Sequence, residues 1–175
     1  MFDFRTIFII IILIIALFCS FSCDLHARKY ADLIREYAAI NSLDPAMVFA
    51  IVSVESHFNE RARSTKGAIG LMQLMPKTAG WIAECLQVSK FNTDDLFDPR
   101  CNIAFGTFYL RYLFDRFPED WQAFAAYNAG EGVVSAWLKE GIDEKEIPYS
   151  ETRNYVKKVQ RAICYYRGKK YVAFD

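Results

Sequence analysis

The chain has 175 residues, 53% of them hydrophobic, and its 21 basic and 21 acidic side chains leave no net charge at pH 7. A balanced charge argues against a basic nucleic-acid-binding surface, so we expect no nucleic acid partner. The length suits one domain with a substantial core. Because neither CxxC nor HExxH occurs and the two histidines are isolated, we expect no metal and no cofactor.

The N-terminus carries an unbroken apolar run over 7–18. Such a run is typical of a signal peptide, whereas a membrane span usually needs about 20 residues. We therefore predict a signal peptide or N-terminal membrane anchor over 1–22 and an exported domain over 23–175. Cys23 follows the small Ser22 and is a candidate for lipidation. Three outcomes stay open: a lipoprotein, an uncleaved anchor, or cleavage with release. Each places the domain in the periplasm or cell envelope, and the first two attach it to the membrane.

Two helices are predicted at the start of the domain. The first covers 30–40 and is amphipathic. Its apolar face consists of Leu33, Ile34, Tyr37 and Ile40. The second begins at Pro45, a favoured first helical residue, with Asp44 as its N-cap. Because the run 46–54 is apolar on almost every face, this second helix is predicted to be buried, with the first packed against it.

Glu55 follows this apolar run directly. It lies on the same helical row as Val48, Ile51 and Val52. Since partial burial disfavours the charged form, we expect its pKa to be raised, which suits a general acid near neutral pH. The alternative is a glutamate that ends the helix and points into water. The next segment favours the acid, because 64–70 is a flexible glycine-containing loop that turns back toward it. Gln73 then stands among large apolar residues, where a sugar would supply its hydrogen-bond partners.

Five further helices are predicted downstream. They cover 76–86, 99–117, 121–127, 133–138 and 151–166, the last with Ser150 as its N-cap. Gly106 is interpreted as a point of close contact between helices. The basic residues of the last helix and tail form a solvated face or, alternatively, a surface for membrane or wall polymer. Cys85, Cys101 and Cys164 are either small buried side chains or include a Cys85–Cys101 disulfide.

The segment 126–132 breaks one helix and starts the next. Asn128 and Gly130 fit a helix C-cap, which is the structural interpretation. A cap does not account for Tyr127, however. A tyrosine at the mouth of a cleft can stack on a sugar ring and use its hydroxyl as a hydrogen-bond donor, which is the functional interpretation.

Four sequence blocks occur in a fixed order beyond residue 40. They are Glu55-Ser56 with Phe58, Gly67-Ala68 with 70–76 and Thr78-Ala79, Asp98-Pro99 with Asn102-Ile103 and Gly106, and 126–130 with Pro148, Glu151-Thr152-Arg153 and Tyr155. Together they resemble the lytic transglycosylases of the soluble (SLT) type, which share the goose-type lysozyme fold and cleave peptidoglycan strands. The resemblance implies a single all-α, predominantly helical domain of the α+β lysozyme-like superfamily. Glu131 departs from the family pattern, which often has proline there.

The resemblance also implies a mechanism with one glutamate. Glu55 would protonate the oxygen between N-acetylmuramic acid and N-acetylglucosamine, then accept the proton of the muramoyl C6 hydroxyl, leaving a 1,6-anhydro end. This fits the lack of a convincing second carboxylate, which glycosidases normally need. The residues implied to contact the glycan are Ser64, Gln73, Met75, Tyr127 and Asn128, with Glu151 and Tyr155 also lining or supporting the cleft. For Met75, core packing is the alternative.

The expected partners are peptidoglycan glycan strands, together with the membrane through the N-terminal segment or a lipid. We expect a monomer. Two other functions are considered. One is a muramidase of the same fold that uses water, and the other is a wall-binding protein without turnover.

Overall fold

The structure is a computed structural model that describes residues 3–173, apart from the side chains of Phe4, Ile7 and 13–23. It is built from helices, and no β-strand is formed within 3–173. Two isolated bridges join Arg63 to Ile69 and Ile69 to Leu74 within one loop. The predicted all-α, predominantly helical class is therefore confirmed.

Eight α-helices are formed by the described residues. They are α1 Phe4–Lys29, α2 Ala31–Ile40, α3 Pro45–Ser56, α4 Pro76–Cys85, α5 Pro99–Arg116, α6 Asp120–Ala129, α7 Glu131–Lys139 and α8 Ser150–Arg167. Short 3-10 helices add Thr93–Phe97 and Glu144–Glu146, which were not predicted. The helices predicted from residue 30 onward are confirmed to within a few residues. The predicted cap of the last helix is wrong by one position, because Ser150 is the first residue of α8 and Tyr149 is its N-cap.

Helix α3 is the centre of the fold, packed along α8 and against α2. The Asp44 carboxylate accepts a hydrogen bond from the backbone N–H of Ala46 at 2.9 Å, which confirms the predicted cap. The residues of α3 that are fully buried are Val48, Phe49, Ala50, Ile51 and Val52. Each large apolar side chain buried in this way contributes about 1.5–3 kcal/mol. The opposing face of α8 buries Tyr155, Val156, Val159 and Ile163. The last residues of α3, where Glu55 lies, are thus fixed by the core.

Helix α1 passes without a break through the predicted boundary between residues 22 and 23 and joins the domain. The Asp24 carboxylate accepts hydrogen bonds from the side chains of Tyr165, Lys169 and Tyr171. Ala27 is buried in the main core. Within the described residues, no helix combines the length and apolarity needed to cross a bilayer. The candidate lipidation site falls on the Cys23 side chain, which lies outside the described residues.

Three sequence-based expectations about packing are wrong. Ile40 is 65% exposed, because the residues of α2 that face the core are Ala31, Ile34 and Ala38. The cysteines within the described residues are free thiols. Cys85 and Cys164 are exposed and Cys101 is half-buried, so neither the Cys85–Cys101 disulfide nor the buried-thiol interpretation holds.

Candidate active site

Glu55 lines a cavity of about 200 Å³ at the end of α3. Helix α3 ends just after Glu55, because His57 adopts a left-handed conformation with φ of 50°. The other residues around this cavity, here called the Glu55 cavity, are Ser64, Lys66, Ala68, Gln73, Met75, Tyr127, Asn128 and Glu151. The carboxyl is therefore partly buried in a cleft, and the alternative of a glutamate that points into bulk water is wrong.

The protonation of Glu55 is set by two opposed effects. Burial raises its pKa to about 7, as predicted from the apolar row on α3. The hydroxyl of Tyr155 on α8 donates a hydrogen bond to Oε1 of Glu55 at 2.7 Å, which offsets part of that rise. No cationic side chain in the described part of the chain forms an ion pair with Glu55. The carboxyl is therefore available in both protonated and ionised forms near neutral pH.

The loop between α3 and α4 forms one wall of the cavity and is tied to its neighbours through buried polar groups. The Ser56 hydroxyl donates to the backbone carbonyl of Leu71 at 2.7 Å. Asn102 of α5 is fully buried. Its Oδ1 accepts from the Met72 N–H at 2.7 Å, and its Nδ2 donates to the carbonyls of Ile69 and Leu96. Both polar atoms of that amide therefore hold the loop. These hydrogen bonds also offset the cost of burying the amide.

Two glycines allow this loop to approach α5. Gly70 has φ of +80°, and a side chain there would come within 2.8 Å of Cγ of Asn102. A Cβ at Gly106 would lie 2.9 Å from Cβ of Met72. The close contact predicted at Gly106 is therefore present, but its partner is the loop between α3 and α4 and not another helix.

Gln73 is positioned by its own loop. Its Nε2 donates to the carbonyls of Gly70 at 2.9 Å and Ala62 at 3.2 Å. The loop between α3 and α4 thus supplies two carbonyl acceptors for the Gln73 N–H groups. The expectation that a sugar supplies the partners of these N–H groups is therefore wrong. Met75 is 42% exposed, so its core-packing interpretation is also wrong.

Tyr127 and Asn128 come from the end of α6. The Tyr127 hydroxyl donates to the Met72 carbonyl at 2.8 Å, so it holds the loop, while the residue lines the cavity. Burial raises the pKa of Tyr127 well above its ordinary value, with the nearby Glu55 charge acting in the same direction. Asn128 lies within α6 and its Oδ1 accepts from Thr152 at 2.9 Å. The cap belongs to Gly130, whose N–H donates to the Ala126 carbonyl.

The structure brings all the sequence-predicted site residues together. Seven of them line the Glu55 cavity, and Tyr155 reaches Glu55 through its hydrogen bond. Glu151 lies at the rim, where its side chain is 75% exposed and 3.7 Å from Nζ of Lys66. Sequence reasoning missed Lys66 as a lining residue, because a lysine in a polar loop carries no pattern of its own.

Two more cavities continue the cleft, and sequence reasoning missed both. A middle cavity of about 220 Å³ shares four lining residues with the Glu55 cavity and adds Leu74, Thr78, Tyr109, Ala129 and Gly130. A distal cavity of about 240 Å³ is lined by Lys77, Thr78, Trp81, Tyr109, Tyr112 and Glu131. The i, i+3 pairs Thr78 with Trp81 and Tyr109 with Tyr112 place these residues on one face of α4 and α5 and could have indicated the site. Within the described residues, no group of three His, Cys, Asp or Glu is placed to bind a metal.

Sequence comparison relates the chain to proteins of the bacterial cell wall. The profile of the family described as Transglycosylase SLT domain matches residues 32–149. The soluble lytic murein transglycosylase of Escherichia coli (strain K12) is 38% identical over 148 residues, covering 79% of this chain and 23% of that protein. The membrane-bound lytic murein transglycosylase C of Glaesserella parasuis serovar 5 (strain SH0165) is 32% identical over 175 residues, covering 83% of this chain and 48% of that protein. The chain thus spans about a quarter of the first relative and about half of the second.

Solved structures agree with the sequence comparison. The 70 kDa soluble lytic transglycosylase of Escherichia coli superposes with a TM-score of 0.75 at 37% identity, over 82% of this chain and 25% of that one. An inactive Glu-to-Gln variant of the lytic transglycosylase Slt of Pseudomonas aeruginosa superposes with a TM-score of 0.73 at 33% identity, over 82% of this chain and 25% of that one. Because the family profile covers well over half of its length, the chain belongs to the Transglycosylase SLT domain family.

Proposed function

We propose that the chain is a peptidoglycan lytic transglycosylase that cleaves the β-1,4 bond between N-acetylmuramic acid and N-acetylglucosamine and leaves 1,6-anhydro-muramoyl ends. The observation that carries the proposal is Glu55, a cleft carboxyl with a pKa of about 7, within a chain of the SLT family. General acid catalysis requires a carboxyl whose pKa lies near the working pH.

Glu55 performs both proton transfers in this mechanism. The protonated carboxyl donates to the glycosidic oxygen as the bond from that oxygen to C1 of the muramoyl ring breaks. The resulting carboxylate then takes the proton from the C6 hydroxyl while O6 bonds to C1, which regenerates the acid. No water is consumed. A pKa near 7 suits this cycle because neither the protonated nor the ionised form is strongly disfavoured.

The position of Glu151, the other carboxylate of the Glu55 cavity, supports a mechanism with one catalytic glutamate. Glycosidases that use water or a covalent intermediate normally pair the acid with a second carboxylate across the bond. The other acidic residue that lines this cavity is Glu151, which is largely exposed and 3.7 Å from Lys66. Such a rim position suits contact with substrate better than activation of a water at the sugar ring.

The glycan is bound by the other residues of the cavity. The exposed Met75 side chain and the Tyr127 ring supply apolar surface, on which sugar rings stack. Ser64, Gln73 and Asn128 add polar groups that fix orientation. Tyr155 supports the site by its hydrogen bond to Glu55.

The cellular setting follows from the substrate. Peptidoglycan lies outside the cytoplasm, so the chain acts in the periplasm or cell envelope as a monomer on glycan strands. The apolar run 7–18 serves as the export signal or membrane anchor, with lipidation of Cys23 as one means of attachment. The relative described as membrane-bound lytic murein transglycosylase C supports the membrane-attached form.

Mass spectrometry of products tests the proposal. The full chain is incubated with purified peptidoglycan beside Glu55→Gln and, as a control, Glu140→Gln at the exposed C-cap of α7. The wild type and the control should release muropeptides lighter by one water than hydrolysed ones. Glu55→Gln should retain its fold and glycan affinity but lose about 100- to 10,000-fold in rate, because an amide cannot deliver the proton.

Other results would select the alternative functions. Products that contain the added water would identify a muramidase. Retention on peptidoglycan without any product would identify a wall-binding protein. Turnover by Glu55→Gln at the wild-type rate would remove Glu55 from the mechanism.

A further inference from the structure

Two adjoining cavities lie outside the cleft, where the end of α1 meets the segment that follows α3. One has a volume of about 280 Å³ and is lined by His26, Lys29, Tyr30 and 57–61. The other, of about 530 Å³, shares His26 and Lys29 and adds Leu25 and Arg28. Among the described residues, neither cavity shares a lining residue with the three cavities of the cleft. This concave surface is therefore separate from the site at which Glu55 acts.

Basic side chains dominate the lining of this surface. The basic patch is defined here as His26, Arg28, Lys29, His57 and Arg61, which are all exposed. Glu60 lines the same cavity, and its carboxylate already accepts hydrogen bonds from Lys29 at 2.9 Å and from the Tyr30 hydroxyl. Within the described part of the chain, Arg28 and Arg61 take part in no ion pair. Three cationic side chains thus accompany one carboxylate, so the patch keeps an excess of positive charge although the whole chain is balanced.

The patch continues the helix that carries the apolar run 7–18. Helix α1 is unbroken from Phe4 to Lys29, and its side chains from Phe8 to Ile12 are exposed. At 1.5 Å per residue, residues 26–29 lie about 12–17 Å beyond residue 18 along the helix axis. The headgroup layer on each side of a bilayer is about 5–8 Å thick, so a run inserted in the membrane would hold the patch within about one Debye length of the headgroup charges.

The chemistry of the patch matches a membrane surface better than a free anion. Leu25 is 61% exposed beside the basic side chains, so the second cavity offers an apolar contact as well as positive charge. This combination is typical of segments that lie in the membrane interface, where acyl chains meet charged headgroups. Guanidinium and imidazole N–H groups are donors suited to phosphate oxygens. An anionic phospholipid supplies both the phosphate and the apolar chains.

We propose that the basic patch is a docking site for anionic phospholipid headgroups, which seats the domain on the membrane beside its own anchor. This inference rests on the membrane attachment included in the proposed function, through either the apolar run or Cys23. His57 follows Ser56, the last residue of α3, so a headgroup bound at 57–61 contacts the segment directly after the helix that carries Glu55. Docking therefore sets the orientation of the Glu55 cavity relative to the membrane, as well as its distance from it.

Hydrogen exchange of the full chain in lipid nanodiscs tests the docking. Discs of phosphatidylcholine alone are compared with discs that also contain phosphatidylglycerol, so that the anchor is the same and only the headgroup charge differs. The backbone amides of 57–62 should exchange about fivefold more slowly in the anionic discs, because a bound headgroup opposes local opening. Raising the salt concentration should remove this difference, since exposed charges are screened. Equal exchange in both kinds of disc would overturn the proposal.

Paired substitutions separate the patch from the general charge of the chain. Arg28→Gln with Arg61→Gln should abolish the difference between the discs, whereas Arg28→Lys with Arg61→Lys should keep most of it. Lys157→Gln with Lys158→Gln removes the same charge from an exposed part of α8 that lines neither cavity, and should behave as wild type. An equal loss in this control, or a difference that survives in Arg28→Gln with Arg61→Gln, would overturn the patch. Equal protection by inorganic phosphate in the phosphatidylcholine discs would also overturn it, by identifying a site for a free anion.

Turnover of peptidoglycan by the same discs separates this inference from the proposed function. Headgroup-dependent protection without turnover would overturn the proposed function and leave the docking site intact. Turnover with equal exchange in both kinds of disc would overturn the docking site alone. A chain that remains in neither disc would overturn the membrane attachment, and the docking with it.

Discussion

At the scale of single residues, the decisive contact joins two side chains that are 100 positions apart in the chain. Burial at the end of α3 raises the pKa of Glu55, and the hydroxyl of Tyr155 from α8 lowers it again, to about 7. Burial likewise raises the pKa of Tyr155 well above its ordinary value, so the hydroxyl remains a donor throughout the working range. Helix α8 lies beyond the family match over 32–149, so the protonation of Glu55 depends on a residue outside the matched region.

Replacing Tyr155 by phenylalanine should move the pH profile of the enzyme. The substitution keeps the ring but removes the donor that stabilises the ionised carboxyl, so the pKa of Glu55 should rise above about 7. Because the first step of the proposed mechanism needs the protonated form, the alkaline limb of kcat/KM should shift to higher pH. The measurement is the release of muropeptides as a function of pH, with Tyr149→Phe at an exposed position as the control. An unchanged alkaline limb in Tyr155→Phe would show that the hydrogen bond does not set this pKa.

At the scale of elements, the loop between α3 and α4 depends on α5 for its shape. Asn102 satisfies one N–H and two carbonyls of residues outside its helix. Ser56, Gln73 and Tyr127 add further hydrogen bonds to loop carbonyls. Since Gln73 and Met75 are carried by this loop, its attachment to α5 sets one wall of the cleft.

Replacing Asn102 by alanine should therefore affect both stability and activity. The Met72 N–H and the carbonyls of Ile69 and Leu96 would each lose a hydrogen bond, although the Ile69 carbonyl keeps the one from the Leu74 N–H. We expect this loss to cost about 2–4 kcal/mol in free energy of unfolding. Chemical denaturation measures this loss, and turnover of peptidoglycan should fall as the loop loosens. Asn154→Ala, at an exposed position of α8, is the matched control and should stay within about 0.5 kcal/mol of wild type. Equal stability of the two variants would contradict the assigned role of Asn102.

At the scale of the whole molecule, the end of α1 is joined to the C-terminal segment. Asp24 near the end of α1 accepts hydrogen bonds from the C-terminal segment, including Lys169 at 2.7 Å. Tyr165 and Tyr171 donate to the other oxygen of the same carboxylate. Together these donors hold the pKa of Asp24 below its ordinary value against the effect of burial. The end of α1 is therefore attached to the C-terminal segment of the domain.

Replacing Asp24 by alanine should weaken the contact between α1 and the C-terminal segment. The loss of three partly exposed hydrogen bonds should cost about 1–2 kcal/mol, equivalent to a decrease in Tm of about 2–8 °C for a chain of this size. Thermal unfolding followed by circular dichroism measures the change. Asp3→Ala, at an exposed N-terminal position, serves as the control. A Tm for Asp24→Ala equal to that of the control would show that the contact between α1 and the C-terminal segment is not stabilising.

The helix positions were predictable because their signals are local. Asp44 before Pro45 and Asp98 before Pro99 each accept a hydrogen bond from a backbone N–H of the helix that follows, so both caps form. The same locality explains the errors. Ile40 follows the helical period but is 65% exposed. Gly106 was recognised as a close contact, yet the identity of its partner depends on where the loop between α3 and α4 returns.

The sequence by itself determined the all-α class, the burial of α3, the raised pKa of Glu55 and most of the residues around it. These properties follow from periodicity, caps and family motifs, which are local features of the sequence. Only the tertiary structure decided that Tyr155 donates to Glu55, that Gln73 is held by its own loop, and that Trp81 and Glu131 extend the cleft. Each of these depends on packing between α3 and α8 or between α4, α5 and α7, and no local pattern specifies the partner of a side chain across such an interface.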